Sequence, residues 1–165
     1  MSKETLTQWY IAGTHAVRSA CEQGVESAKD ANRIASSQEI KDIASKIAAF
    51  SEQNEKNFVK ILDDMGEQPN DFVDKIMLGI SEGSELMLKA STEDTVKDVA
   101  LISAGQTALH YFIPAFGTHA AVAKALGLND HAEMLAAMAD ECKIADKEYT
   151  DLAEQQVNPM AASQK

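Results

Sequence analysis

Glu52 and Glu55 stand three residues apart in a stretch of helical character. Residues at i and i+3 share a helix face, so both carboxylates of such a pair can reach one metal pair. Glu22, Glu141 and Asp146 add carboxylates on other predicted helices, and His110 adds an imidazole four residues after Gln106. Four-helix bundles build carboxylate-bridged di-metal centres from a Glu on each of two helices and Glu-x-x-His on each of the other two. Glu22, Glu52, Glu55, His110, Glu141 and Asp146 are therefore the candidate metal ligands. Each also has an ordinary reading. Glu52 has Lys56 as its i+4 partner and Glu55 has Lys60 close by, Glu22 has Arg18, and Glu141 has Lys143 and Lys147 nearby. Such exposed pairs are common on solvated helix faces. His110 reads equally well as a satisfied core histidine.

The pattern departs from a full ligand set in two places. No acid lies between Asp98 and Gly127, and the residue three after Glu141 is Ile144 rather than His. A polar line of Ser103, Gln106, Thr107 and His110 runs through the same acid-free stretch. Other chemistries have less support. His15 and His119 have no acid at helical spacing, and His131 falls in a first turn and is expected to be exposed. No Ser-His-Asp set, Gly-rich phosphate loop or CxxC is present, and nothing positions a substrate. Cys21 and Cys142 are too few and too far apart for a disulfide framework or zinc knuckle. They are expected to be buried thiols in a reducing compartment.

The elements that must hold these residues are helices. The chain has 165 residues, 45% of them apolar and 25% charged, which suits one domain with its own core. Three prolines and abundant alanine favour helix. A first helix over about Lys3 to Ala35 has the inward line Tyr10, Gly13, Val17, Ala20, Gly24, Ala28 and Ala31. A second begins at a capping box, Ser36 with Glu39, carries Ile40, Ile43, Ile47, Phe50, Asn54, Asn57 and Ile61 inward, and ends at Gly66. Asp71 to Ala90 reads as a short crossover helix weakened by Gly79 and Gly83. A third long helix begins near Thr92 or Glu93, with a seam of Val99, Ile102, Gln106, Leu109 and Ile113, and kinks at Pro114. The fourth is capped by Asn129 or Asp130 and has the cleanest seam: Leu135, Met138, Cys142, Ala145, Tyr149 and Leu152. The expectation is an all-α four-helix bundle, residues 1–157, with a short extra helix in the crossover and a flexible tail over 158–165.

Charge and hydropathy narrow the partners. A net charge of −11 without a basic cluster argues against nucleic acid and anionic membranes. No uninterrupted apolar run approaches the roughly 20 residues that span a bilayer. The first ten residues have no basic region followed by an apolar core, so no signal peptide is expected and the cytoplasm is the expected location.

The segments DVALISAGQ, HYFIPAFGT, KALGL and ECKIADKEYTDLA carry a family likeness, best over about Val96 to Ala153. In these the chain resembles the ferritin-like bacterial stress-protein family that contains YciE and YciF. The resemblance implies a ferritin-like bundle, a homodimer, a stress-related role of undefined activity, and a di-iron or di-manganese type site. It also implies a role for single positions. Glu22 matches the acid of the first helix and Glu52 the first acid of the second, while Glu55 stands where the family tends to have His. Leu109 stands where the third helix would supply its Glu, beside a matching His110, and Phe112 replaces another acid. Glu141 and Asp146 match the acidic motif of the fourth helix, with Cys142 in place of a further acid. The missing bridging carboxylate removes charge and oxygen ligation that a di-metal centre needs. The first expectation is a reduced or degenerate iron or manganese site, or none. The alternative is a non-catalytic bundle acting through dimerisation or partner binding. Leu109, Phe112, Phe116, Met77, Met87, Met134 and Met138 would then supply its apolar surface.

Overall fold

The computed structural model describes residues 2–163. Its helices are α1 (Lys3–Ile34), α2 (Gln38–Asp64), α3 (Lys75–Ala90), α4 (Asp94–Leu126), α5 (Asn129–Leu152) and α6 (Asn158–Ser163). A π turn, Ala153–Val157, joins α5 to α6. The chain is an all-α, ferritin-like four-helix bundle, with α3 as the extra helix of the crossover. α1 packs mainly on α2 and α4 mainly on α5; contacts of α1 with α4 and of α2 with α5 close the bundle. α3 lies across α1 and α4.

The corners follow from capping chemistry. Ser37, not Ser36, caps α2, its hydroxyl accepting from the Ile40 N–H at 3.4 Å. The expected box shifts because Ser36 has another partner. Buried Asp98 of α4 accepts from the Ser36 N–H (2.8 Å), the Ser36 hydroxyl (2.5 Å) and the Ser37 N–H (3.0 Å). At the other corner Gly127 ends α4 with φ 82°, a left-handed conformation that costs an L side chain energy and glycine nothing.

The core follows the predicted seams closely on α5, where Leu135, Met138, Cys142, Tyr149 and Leu152 are buried. On α2 the expected Ile40, Ile43, Asn54 and Ile61 are buried, and the rest of the inward face is shifted. Ser51, Phe58 and Leu62 are also buried, while Ile47, Phe50 and Asn57 are only partly so. The crossover helix is unbroken through Gly79 and Gly83, capped by Asp74, whose carboxylate accepts from the Met77 N–H at 2.7 Å. α4 likewise runs unbroken through Pro114. By length and composition alone it could cross a membrane; here Leu101, Ile102, Leu109, Phe112 and Phe116 pack into the bundle core. The expected tail is helical as far as Ser163. Pro159 has no N–H for the i→i−4 ladder, and the π turn just before it takes up the mismatch. Residues 164 and 165 lie outside the described residues.

Candidate functional site

The six expected ligands fall in separate places. Glu22 and Glu55 meet at a guanidinium. Arg18 of α1, nearly buried, donates to Glu22 at 3.3 Å, to Glu55 of α2 at 3.2 Å and to the Asn70 carbonyl at 3.1 Å. Its fixed positive charge occupies the position between two carboxylates that a bridging cation would take. Glu52 lies outside this cluster, exposed and paired with Lys56 at 3.1 Å.

His110 and Asp146 form a second group, between α4 and α5 and away from the bundle axis. The Gln106 amide donates to Asp146 at 2.9 Å and to the Thr150 hydroxyl at 2.9 Å, and His110 Nε2 lies 3.2 Å from Asp146. The polar line on α4 is therefore a surface seam. Ser103, Thr107 and His110 are exposed, and only Gln106 reaches inward to tie the two helices. Glu141 is exposed on α5.

The bundle interior presents Cys21, Ser51, Asn54, Leu109, Phe112 and Cys142. Burial pushes the Cys142 thiol up to about 12 and the Cys21 thiol well above its usual value, with Cys142 and Glu55 adding to the latter. Thiols held neutral are poor ligands and poor nucleophiles. Hard di-iron or di-manganese chemistry needs inward carboxylates, which these positions lack. Among the described residues no three His, Cys, Asp or Glu are grouped so as to hold a metal ion. The side chains present do not fit a ferritin-type di-metal centre.

Three polar clusters escape sequence reasoning because their partners are distant in the chain. His131 is buried rather than exposed, its Nδ1 3.3 Å from the Tyr10 hydroxyl and its Nε2 3.1 Å from Asp64. The Lys60 ammonium, and after it His131, holds the Asp64 carboxyl below its usual range. Asp74, which caps α3, also accepts from the Tyr111 hydroxyl at 2.7 Å; its N–H donates to Ser19 and its carbonyl accepts from Gln23. His119 stacks on Trp9 and lies edge-on to Phe58. Its Nδ1–H donates to the Ala115 carbonyl at 2.8 Å, and burial lowers its pKa, favouring the neutral form. A Cβ on Gly13 would lie 2.4 Å from its Nε2, which explains a glycine at this point of α1.

The chain is similar to several known proteins. It is 36% identical to Protein YciF of Escherichia coli (strain K12) over 85 residues, 52% of this chain and 51% of YciF. The match thus spans about half the length of that curated relative. The crystal structure of the E. coli stress protein YciF superposes with a TM-score of 0.86 at 23% identity, covering 93% of this chain and 97% of that one. YcfI from Rhodopseudomonas palustris superposes with a TM-score of 0.83 at 18% identity, covering 88% and 92%. At these identities the superpositions establish the helical bundle. The family model for a domain of unknown function, DUF892, matches residues 5–162, and the chain belongs to the DUF892 family.

Proposed function

We propose that the chain is a YciF-like, stress-related bundle that acts as a homodimer through the outer face of α3 and not through a di-metal centre. One observation carries this reading. Ile76, Leu86 and Met87 are 63%, 68% and 67% exposed, and a Cβ added at Gly79 or Gly83 between them would meet nothing within 4 Å. Phe72 and Val73 extend the apolar surface at the N-terminal end of the helix. The order Ile76-x-x-Gly79-x-x-x-Gly83-x-x-Leu86 reads the same in both directions by residue class. A two-fold axis passing between Gly79 and Gly83 on this face would set Ile76 of one copy against Leu86 of the other and bring the glycines together, as an isologous interface requires. Small residues at such a crossing let helix backbones approach closely. Of the other apolar residues expected to supply a partner surface, Leu109, Phe112, Phe116, Met77 and Met138 are core and Met134 is partly buried. Two buried free thiols suit a reducing location such as the cytoplasm.

Sedimentation equilibrium of the purified chain, with metal analysis of the same sample, tests this. A dimer of micromolar or tighter affinity that Ile76→Glu converts to a folded monomer supports it. A wild-type monomer refutes it. So does stoichiometric iron or manganese that Glu55→Ala removes, because the carboxylates would then be ligands.

A further inference from the structure

A cavity of about 330 Å³ opens into the bundle between α1, α2, α3 and α4. At about 30 Å³ per water-sized group, that volume holds roughly ten non-hydrogen atoms. Its walls are Gly24 and Ala28 of α1, Phe50 of α2, and Leu101, Leu109 and Phe112 of α4. Met77, Ile80 and Leu88 of α3 cover one side.

Three polar side chains interrupt this apolar lining: Ser51, Asn54 and Tyr149. They are 3%, 2% and 2% exposed, and none has a side-chain hydrogen-bond partner among the described residues. A hydroxyl or amide buried without a partner costs free energy. Neighbouring buried polar groups such as Thr14 and Asp74 are satisfied within the chain, by the Tyr10 carbonyl and by Tyr111 and Met77 respectively. The fully buried side-chain atoms without a partner, His15 Nδ1, Arg18 Nε and His119 Nε2, lie outside the cavity lining, whereas the polar groups of Ser51, Asn54 and Tyr149 line it. Burial pushes the Tyr149 phenol up to about 12, so it keeps its proton and can donate.

Charge at the cavity is already committed. Its charged lining residues are Asp30, Glu85 and Lys89. Lys89 pairs with Glu85 at 3.4 Å, and Asp30 pairs with Arg33. No unpaired cation is available to an anionic head group, and burying an uncompensated carboxylate is costly.

We infer that this cavity binds a neutral, mostly apolar small molecule of roughly ten non-hydrogen atoms with one hydroxyl or carbonyl, which hydrogen-bonds to the Asn54 amide. Ligand sites of this size commonly combine apolar walls with a few fixed polar groups. The site is separate from the outer face of α3 and does not depend on dimerisation.

Fluorescence titration of the full chain with naphthol, a neutral bicyclic alcohol whose emission changes when it leaves water, reads the site directly. Saturable binding is expected, with octanol displacing naphthol at least about tenfold better than octanoate, because octanoate brings a charge with no partner. Asn54→Leu keeps the volume and removes the amide; it is expected to weaken binding about three- to tenfold while the protein stays folded. Ala104→Phe, which projects a ring from the cavity wall, is expected to abolish binding. Ile76→Glu on the outer face of α3 is expected to leave it unchanged. The absence of saturable binding, or equal displacement by octanol and octanoate, overturns the inference. So does binding that survives Ala104→Phe but is lost in Ile76→Glu, because the probe would then sit on the outer face of α3. If Ala104→Phe does not fold, unchanged affinity in Asn54→Leu overturns it alone.

Discussion

Arg18 decides the chemistry of the α1–α2 face. A guanidinium with two carboxylates and a carbonyl around it, at 3.1 to 3.3 Å, is a paired cation rather than a vacancy between acids, with only its buried Nε left without a partner. Removing it leaves partly buried Glu55 without its partner and opens the link to Asn70. Arg18→Ala is expected to cost about 1 to 2 kcal/mol in urea unfolding, between the effect of an exposed and of a buried pair, because Glu22 is mostly exposed and Glu55 only partly buried. Glu52→Ala, which loses only an exposed i+4 pair, is expected to change stability by less than about 0.5 kcal/mol. The acids themselves were legible in the sequence as acids at ligand-like spacing. Their pairing was not, because Glu55 finds its partner 37 residues away on another helix. The same separation in chain hid His131, whose partners Tyr10 and Asp64 come from α1 and α2.

Periodicity made the elements easier to read than the sites. From Leu135 to Leu152, α5 buries most of its 3-4 seam because the inward positions there are mainly apolar, and polar His131 is buried only in its first turn. α2 misleads in part because its inward positions include Ser51, while apolar Ile47 and Phe50 lie at the margin. A hydrophobicity pattern cannot signal a polar residue buried against a cavity. α3 offers a test at this scale. Gly79 and Gly83 have open space around them, so Ala at either position should add helix propensity of about 1 kcal/mol. If the two glycines form the crossing point of two copies, the same substitution should weaken self-association. Gly79→Ala is thus expected to raise the midpoint of unfolding measured on the monomeric Ile76→Glu background. In the parent it is expected to shift the sedimentation equilibrium toward monomer. A rise in both stability and association would place the interface elsewhere.

At the scale of the whole molecule, stability should depend on pH through His119. Burial lowers its folded-state pKa below the ordinary imidazole value of about 6.5, so the unfolded chain binds a proton there before the native one does. The contribution is therefore full above about pH 6.5 and declines as pH falls through that value toward the folded pKa. The midpoint of thermal unfolding of the parent is expected to fall between about pH 7.5 and pH 5.5 by more than that of His119→Gln. Equal slopes for the two proteins would rule His119 out as the cause. The carboxylate Asp64 has a lowered pKa, and its contribution disappears at more acidic pH, which separates it from the histidine.

α3 differs from its neighbours in one further respect. Met77 is its one buried residue, and its position depends on a single cap, Asp74, held by Ser19 and Tyr111. The α1–α2 and α4–α5 pairs, by contrast, close through short corners and share extensive packing. Local openings follow such differences in buried contact. The α3 amides are expected to exchange with solvent through a partial opening of lower free energy than that of α1 or α5, in a hydrogen-exchange series at increasing denaturant. The crossover would then set how quickly the interior communicates with the surrounding solution, and Asp74→Ala would speed that traffic while the other four helices stay closed.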